Sequence, residues 1–202
     1  KEAIRAKSEE VIMENKLQWQ KILLDALNTS DKSSQQVIND VIAQVGEVLN
    51  ADVAALYVKD KQGDLDCQYI WSKNQSMSAE EYVTEWQRAN MKFRSWQNGQ
   101  GSGKLVDKGY LVIDAKHMDE AAKKIMSGGP VKSFTAVPVY VNGNYGAVFV
   151  LANTSINKLW TTEEIEFVKQ TGDVLRSALE KIESDDSVKR INSVLLDTYN
   201  YI

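Results

Sequence analysis

Three groups of residues in this chain have types and spacings that could do chemistry. They are the run Gly99-Gln100-Gly101-Ser102-Gly103-Lys104, the lone His117 and Cys67, and the aromatic set Trp71, Tyr82, Trp86, Phe93 and Trp96. Closely spaced glycines can turn backbone N–H groups toward a phosphate, and a lysine after them invites that reading. A Walker loop, however, needs Gly where Asn98 stands and Ser or Thr where Leu105 stands. The run also follows a helical pattern and precedes a strand-like one, the reverse of the required order, so a flexible loop is the better reading. Any Ser-His-Asp arrangement or haem would have to use His117, for which a surface loop is the simpler place. With one cysteine there is no internal disulfide, and metal sites of clustered His and Cys are excluded by count. Most carboxylates stand at helix starts, where they favour the dipole, so paired-acid catalysis has no support.

The aromatic set has two readings. Stripes at helical spacing usually fill a core, yet apolar walls with a few polar groups also make binding pockets. In the pocket reading, Ser133 and Tyr145, near a hairpin, supply the polar groups.

These side chains need a scaffold, and the stretch Ser133 to Ile182 predicts most of it. Two apolar runs, Phe134–Val141 and Tyr145–Ala152, flank Asn142-Gly143, a strong hairpin signal. Ala147 to Ala152 has no polar alternation, so both faces of that strand must be buried and helices must flank the sheet on both sides. Thr161 and Glu164 make a capping box, and Trp160 and Ile165 occupy the staple positions. The stripe that follows, widened by Phe167, Val174 and Ala178, exceeds what one sheet face needs and calls for a second partner. Beyond Ile182 the apolar phase fails at Asp185-Asp186, which predicts a break or slip, with Ser187 capping a new segment that leads into a following domain, such as a PAS-type sensor.

Upstream, residues 1–29 read as one long helix, either a coiled-coil strand or a helix packed on its own domain. Ser33 and Gln36 cap a helix with a one-sided stripe from Val37 to Leu49. Val53–Val58 and Cys67–Ser72 read as the opening strands, the second alternating so that Cys67, Tyr69 and Trp71 share a face. A third helix from Ser78 carries Tyr82 to Trp96. Leu105-Val106 and Tyr110–Ile113 read as a strand pair about Asp107-Lys108-Gly109, and Asp119–Met126 as a small helix.

Composition agrees with a domain of about 150 residues, 30–184, with helical extensions at 1–29 and 185–202. Hydrophobic residues are 43%, charged residues 26%, and the formal net charge is -4. No basic patch invites nucleic acid, and no apolar run of about 20 residues or signal peptide invites a membrane. A cytoplasmic protein without direct membrane contact is expected, and the lone cysteine suits a reducing compartment. Because it starts and stops inside helical patterns, the chain reads as a piece of a larger protein.

Val137-Pro138-Val139, the turn, Gly146-Ala147-Val148, Asn153 and Trp160-Thr161-Thr162-Glu163-Glu164-Ile165 together resemble the closing half of a GAF domain. The resemblance runs from about Ser33 to Glu183. It implies an α+β fold with a central antiparallel sheet of five or six strands, helices on both faces, and long N- and C-terminal helices. It also implies a non-catalytic sensor that binds a small ligand between the sheet and the third helix, in a bacterial signalling protein with a kinase or diguanylate cyclase output. Homodimerisation through the terminal helices and flanking domains in cis follow from it; a ligand-free dimerisation or spacer module is the alternative. The family's specialised members leave few matches. Cys67 is followed by Gln68, so no covalent bilin is expected, and neither haem nor metal is. Reduction of methionine sulfoxide needs a second cysteine. Asn153, Trp160 and Glu163-Glu164 echo the cyclic-nucleotide pattern, but Thr154 stands for its Lys and Trp160 for its Phe.

Overall fold

The structure, a computed structural model, describes residues 2–73, 102–126 and 131–200. Its elements are α1 (Glu2–Leu27), α2 (Ser34–Val48), β1 (Val53–Lys59), β2 (Leu65–Ser72), α3 (Ser102–Lys108), β3 (Leu111–Ile113), α4 (Glu120–Met126), β4 (Ser133–Val141), β5 (Asn144–Asn153) and α5 (Thr162–Asn200). The strands form one antiparallel sheet in the order β2-β1-β5-β4-β3. As the run Ala147–Ala152 requires, β5 lies at its centre and divides two cores. Ala147, Phe149 and Leu151 face α2 and α5; Val148, Val150 and Ala152 face the side of α3 and α4.

Local signals explain the joints. Asn142 and Gly143 both have positive φ, 50° and 79°, as a type I′ hairpin demands. The Ser33–Gln36 box closes both ways, and so does the Thr161–Glu164 box, at 3.0 and 3.1 Å. Besides the sheet, α5 packs on α2 and on α1: the Trp19 ring of α1 stacks on Phe167 with centroids 5.0 Å apart, and Ile22, Leu23 and Ala26 join the same core. This decides between the two readings of the N-terminal helix for its second half, which packs on the domain. Its first half does not, since every side chain from Ala3 to Gln18 is exposed.

The structure departs from the expected elements in the terminal helix, around Leu105 and in β2. The terminal helix does not break at Ser184–Ser187; α5 runs unbroken for 39 residues. The Ser187 hydroxyl donates to the Glu183 carbonyl instead of capping a new helix. Asp and Ser inside a helix cost only tenths of a kcal/mol each, and every side chain from Glu183 to Tyr199 is exposed, so no core enforces the apolar phase there. The slip in the stripe marks where packing ends, not where the helix ends.

Leu105 and Val106 lie in the short helix α3, not in a strand. Gly109, with φ 70°, is the left-handed residue that stops α3, where a strand turn was expected. Ser102, Gly103 and Lys104, read as loop, belong to α3; the rest of the glycine run and the third helix lie outside the described residues.

Cys67 does not share a face with Tyr69 and Trp71. Leu56 pairs with Tyr69 and Tyr57 with Cys67, so Gln68 is an extra, bulged residue. A bulge shifts the alternation by one. Tyr69 and Trp71 therefore face α2, while Cys67 faces the other core.

Candidate functional site

The two sheet faces differ in how they are closed. On one, α2 and α5 cover the sheet along its length. Trp71 lies so close to α2 that a Cβ on Gly46 would stand 2.5 Å from its ring. The opposite face is walled by Val53 and Ala55 of β1, Phe134 and Ala136 of β4, and Val148 and Val150 of β5. Among the described residues its cover is Leu105 of α3 and Ala122 of α4, with Met118 and Met126 beside them.

Toward the hairpin end this apolar wall gains polar tips. Tyr145 packs there with Lys59 Nζ 4.0 Å from its ring centroid, and Tyr57 and Cys67 are register partners on the same face. Burial pushes the Tyr145 phenol up to about 12, Tyr140 adding to the effect. Burial, then the Asp66 charge, pushes the Cys67 thiol up to about 11 against a lowering contact from Tyr57. Both groups are neutral at pH 7, so this face offers hydrogen bonds and contact area, and its thiol is a poor nucleophile.

Of the described residues expected to form a pocket, Tyr145 lies on this face. Trp71 and Ser133 are on the opposite one, Trp71 against α2 and Ser133 fully buried opposite Asn153. Tyr82, Trp86, Phe93 and Trp96 lie outside the described residues. The structure thus separates Trp71 and Ser133 from Tyr145 by the thickness of the sheet. Tyr57 and Cys67 on the pocket face were missed: Tyr57 lies there by the plain alternation of β1 with Val53 and Ala55, and Cys67 because of a bulge that leaves no local mark. Among the described residues no cluster of His, Cys, Asp or Glu could hold a metal ion.

Two further groups tie the sheet to α5. Asp114, fully buried just after β3, accepts the N–H groups of Lys116 and His117 at 2.9 Å and of Trp160 at 3.2 Å, and lies 2.8 Å from His117 Nδ1. Burial raises its carboxyl pKa, but these bonds outweigh it and hold the group below the ordinary value. Half-exposed His117 is in a surface loop as expected, but with a buried partner. At the opposite end of the sheet, the Asn142 N–H and Nδ2 donate to Glu180 and Glu183 at 2.9 and 2.7 Å, where α5 leaves the domain. The hairpin that carries Tyr145 is thereby fastened to the exit of α5.

A five-stranded antiparallel sheet with a helix-covered face, an apolar face with polar tips and long terminal helices defines an α+β domain. The family model for the GAF domain matches residues 33–179, and the chain belongs to that family of sensory modules. No curated protein matches the chain. Among solved structures it is similar to the phycocyanobilin-bound GAF domain of a cyanobacterial phytochrome, at 14% identity and TM-score 0.64, covering 81% of this chain and 94% of that one. The GAF domain of an Acinetobacter phosphoenolpyruvate-protein phosphotransferase matches at 14% identity and TM-score 0.57, covering 83% and 93%. That of a putative sensor histidine kinase from Pseudomonas syringae pv. tomato matches at 12% and 0.57, covering 92% and 99%. At these identities the likeness is one of fold. Among the described residues no helix is long and apolar enough to cross a membrane.

Proposed function

We propose that this is a non-catalytic sensory domain, residues 30–184, of a bacterial signalling protein. It binds a small ligand on the sheet face of Val148, Val150 and Tyr145, with Tyr82, Trp86, Phe93 and Trp96 as further proposed contacts. The observation that carries this reading is the asymmetry of the faces: one is sealed by α2 and α5, and the other combines an apolar wall with Tyr57, Cys67 and Tyr145. Pockets for small molecules have that make-up. A raised thiol pKa disfavours covalent bilin attachment, although one similar domain holds phycocyanobilin. On this reading Tyr57 and Cys67 join Tyr145 in the ligand set, and Trp71 and Ser133, on the opposite face, leave it.

Relay uses the two fastenings. A ligand that shifts β3 acts on the start of α5 through Asp114 and Trp160. One that shifts the hairpin acts on its exit through Glu180 and Glu183. Such a ligand changes the output only by its differential affinity for two packings. Trp19 lies beside Phe167, and Ala26 and Leu27 lie near Val174 and Ala178, so α1 and α5 run in the same direction. Their exposed halves leave at opposite ends, each about 25 Å long at 1.5 Å per residue. These halves join flanking domains in cis, a kinase or diguanylate cyclase among them, in a cytoplasmic homodimer.

The exposed Ile4, Val11, Ile12, Ile191, Val194 and Leu195 on these helices also favour a second reading, a ligand-free dimerisation and spacer module. Native mass spectrometry against the denatured mass separates the two. A non-covalent excess mass lost in Tyr145→Phe supports the sensor; a bare dimer across metabolite mixtures overturns it.

A further inference from the structure

At the end of the sheet away from the Asn142-Gly143 hairpin, the strands stop on a row of polar residues. Asp114 stands one step beyond the Ile113–Phe134 pair, beside Ser133, and Ser133 pairs with Asn153. Asp52 stands one step beyond the Val53–Ala152 pair, beside Asn153. Ser133 and Asn153 are 0% and 1% exposed. By the alternation of β5, Asn153 faces α2 and α5 as Leu151 does, and its cross-strand partner Ser133 shares that face.

Among the described residues three buried side-chain atoms have no hydrogen-bond partner, and they are Ser133 Oγ, Asn153 Oδ1 and Trp160 Nε1. Asn153 Nδ2 donates to the Asn50 carbonyl at 2.9 Å, which fixes the other end of the amide as the free oxygen. The path of Trp160 brings its indole to this pair. Its backbone N–H donates to Asp114 on the Ser133 side. Its ring centroid lies 4.8 Å from Lys158 Nζ, which donates at 2.8 Å to the carbonyl of Leu49, the neighbour of Asn50, on the Asn153 side. The residue therefore spans the Ser133–Asn153 pair from one side to the other.

We propose that Ser133, Asn153 and Trp160 hold one buried water between the sheet and the start of α5. The three atoms select the ligand: an indole N–H only donates, an amide oxygen only accepts, and a hydroxyl does either. The indole N–H repels a cation and the amide oxygen an anion. The charges nearby are engaged elsewhere, Asp52 and Asp114 by the groups they accept and Lys158 by Glu164 at 2.7 Å. A neutral molecule that both donates and accepts fits, and cross-strand side chains about 5 Å apart leave room for the smallest one. The water accepts from Trp160 Nε1, donates to Asn153 Oδ1 and bonds Ser133 Oγ, the set of about three bonds typical of a buried water. Such a bridge is nearly as favourable as a direct hydrogen bond. Trp160 is then joined to the sheet twice, by its main chain through Asp114 and by its ring through the water, whichever ligand the opposite face takes. A shift of β4 or β5 thereby reaches the first turn of α5.

The test is water–protein NOE and ROE spectroscopy of the 202-residue chain, read at the Trp160 indole proton, which is assigned by its loss in Trp160→Phe. Cross-peaks at the water frequency with opposite signs in the two experiments are expected, as from a water that stays bound. A Ser133 hydroxyl exchanging with solvent gives the same signal, so the spectra are repeated on Ser133→Ala. There the cross-peaks should persist, because Asn153 and Trp160 still hold the water. Cross-peaks that are absent, that share one sign, or that vanish in Ser133→Ala overturn the site. If Ser133→Ala does not fold, a crystal of the unaltered chain decides: one density peak within hydrogen-bond distance of all three atoms supports the site, and its absence overturns it.

Discussion

Replacing Asp114 by Ala removes the acceptor of four contacts at once, and the cost can be worked from where each donor sits. The N–H groups of Lys116 and His117, in the half-exposed loop, regain water. The backbone N–H of Trp160, a residue 4% exposed, does not. An unsatisfied buried donor costs about 1–3 kcal/mol, and loss of the charge-assisted loop bonds adds on the order of 1 kcal/mol after rehydration. The sum, about 2–4 kcal/mol, corresponds to a Tm lower by roughly 4–16 °C for a domain of this size. Asp114→Asn keeps one oxygen acceptor and should cost about half as much. The pH dependence supplies an independent sign. With its pKa depressed by folding, Asp114 contributes stability that is complete above the unfolded carboxylate value of about 3.9 and is lost as pH falls below it toward the folded value. Asp52, which accepts the N–H and hydroxyl groups of Thr154 and Ser155, is depressed in the same sense, so the Asn variant should show a shallower acid limb and not a flat one. Urea unfolding between pH 2.5 and 7 measures both quantities. A loss below 1 kcal/mol for Asp114→Ala, or an unchanged acid limb for Asp114→Asn, would refute the reasoning.

Gly46→Ala gains about 1 kcal/mol of helix propensity but places a Cβ 2.5 Å from the Trp71 ring, an overpacking of about 1–3 kcal/mol. Net destabilisation in urea melts, relieved when Trp71→Leu is added, is expected; a more stable Gly46→Ala would show that the ring does not lie there. Cys67 should react with iodoacetamide at pH 8 roughly a hundredfold more slowly in the folded than in the unfolded chain, because its thiol stands near 11. Equal rates would count against its burial. Among the described side chains, ending the chain at Glu183 removes only exposed ones, so its Tm should change by no more than a few degrees, while sedimentation should show loss of the proposed dimer. A truncated chain that unfolds would mean that the free half of α5 packs on the domain. Gly143→Ala, at φ 79°, should cost about 1–2 kcal/mol by circular dichroism melts, and a neutral result would remove the type I′ turn.

Much of the fold was legible because its signals are local. Asn142-Gly143 specifies its own turn, Ser33–Gln36 and Thr161–Glu164 close their own helix starts, and the unbroken apolar run of β5 demands cover on both sides. The excess width of the α5 stripe called for a second partner, and α2 and α1 both pack against it. The site was far less legible, because facing depends on pairing. One bulged residue, Gln68, moves Cys67 to the side opposite Trp71, and nothing in the sequence of β2 marks it; only the register with β1 does. Leu105-Val106 is too short an apolar pair for periodicity to separate strand from helix, and packing against the sheet chose the helix. Ser184–Ser187 interrupts a pattern without interrupting a backbone, since propensity penalties of tenths of a kcal/mol cannot end a helix that no core contradicts. The fastening of Asp114 to Trp160 joins residues 46 apart in the chain. Sequence alone determined the elements with short-range causes and the family they compose. The tertiary structure decided which side chains share a face, because that is a property of strand pairs and not of strands.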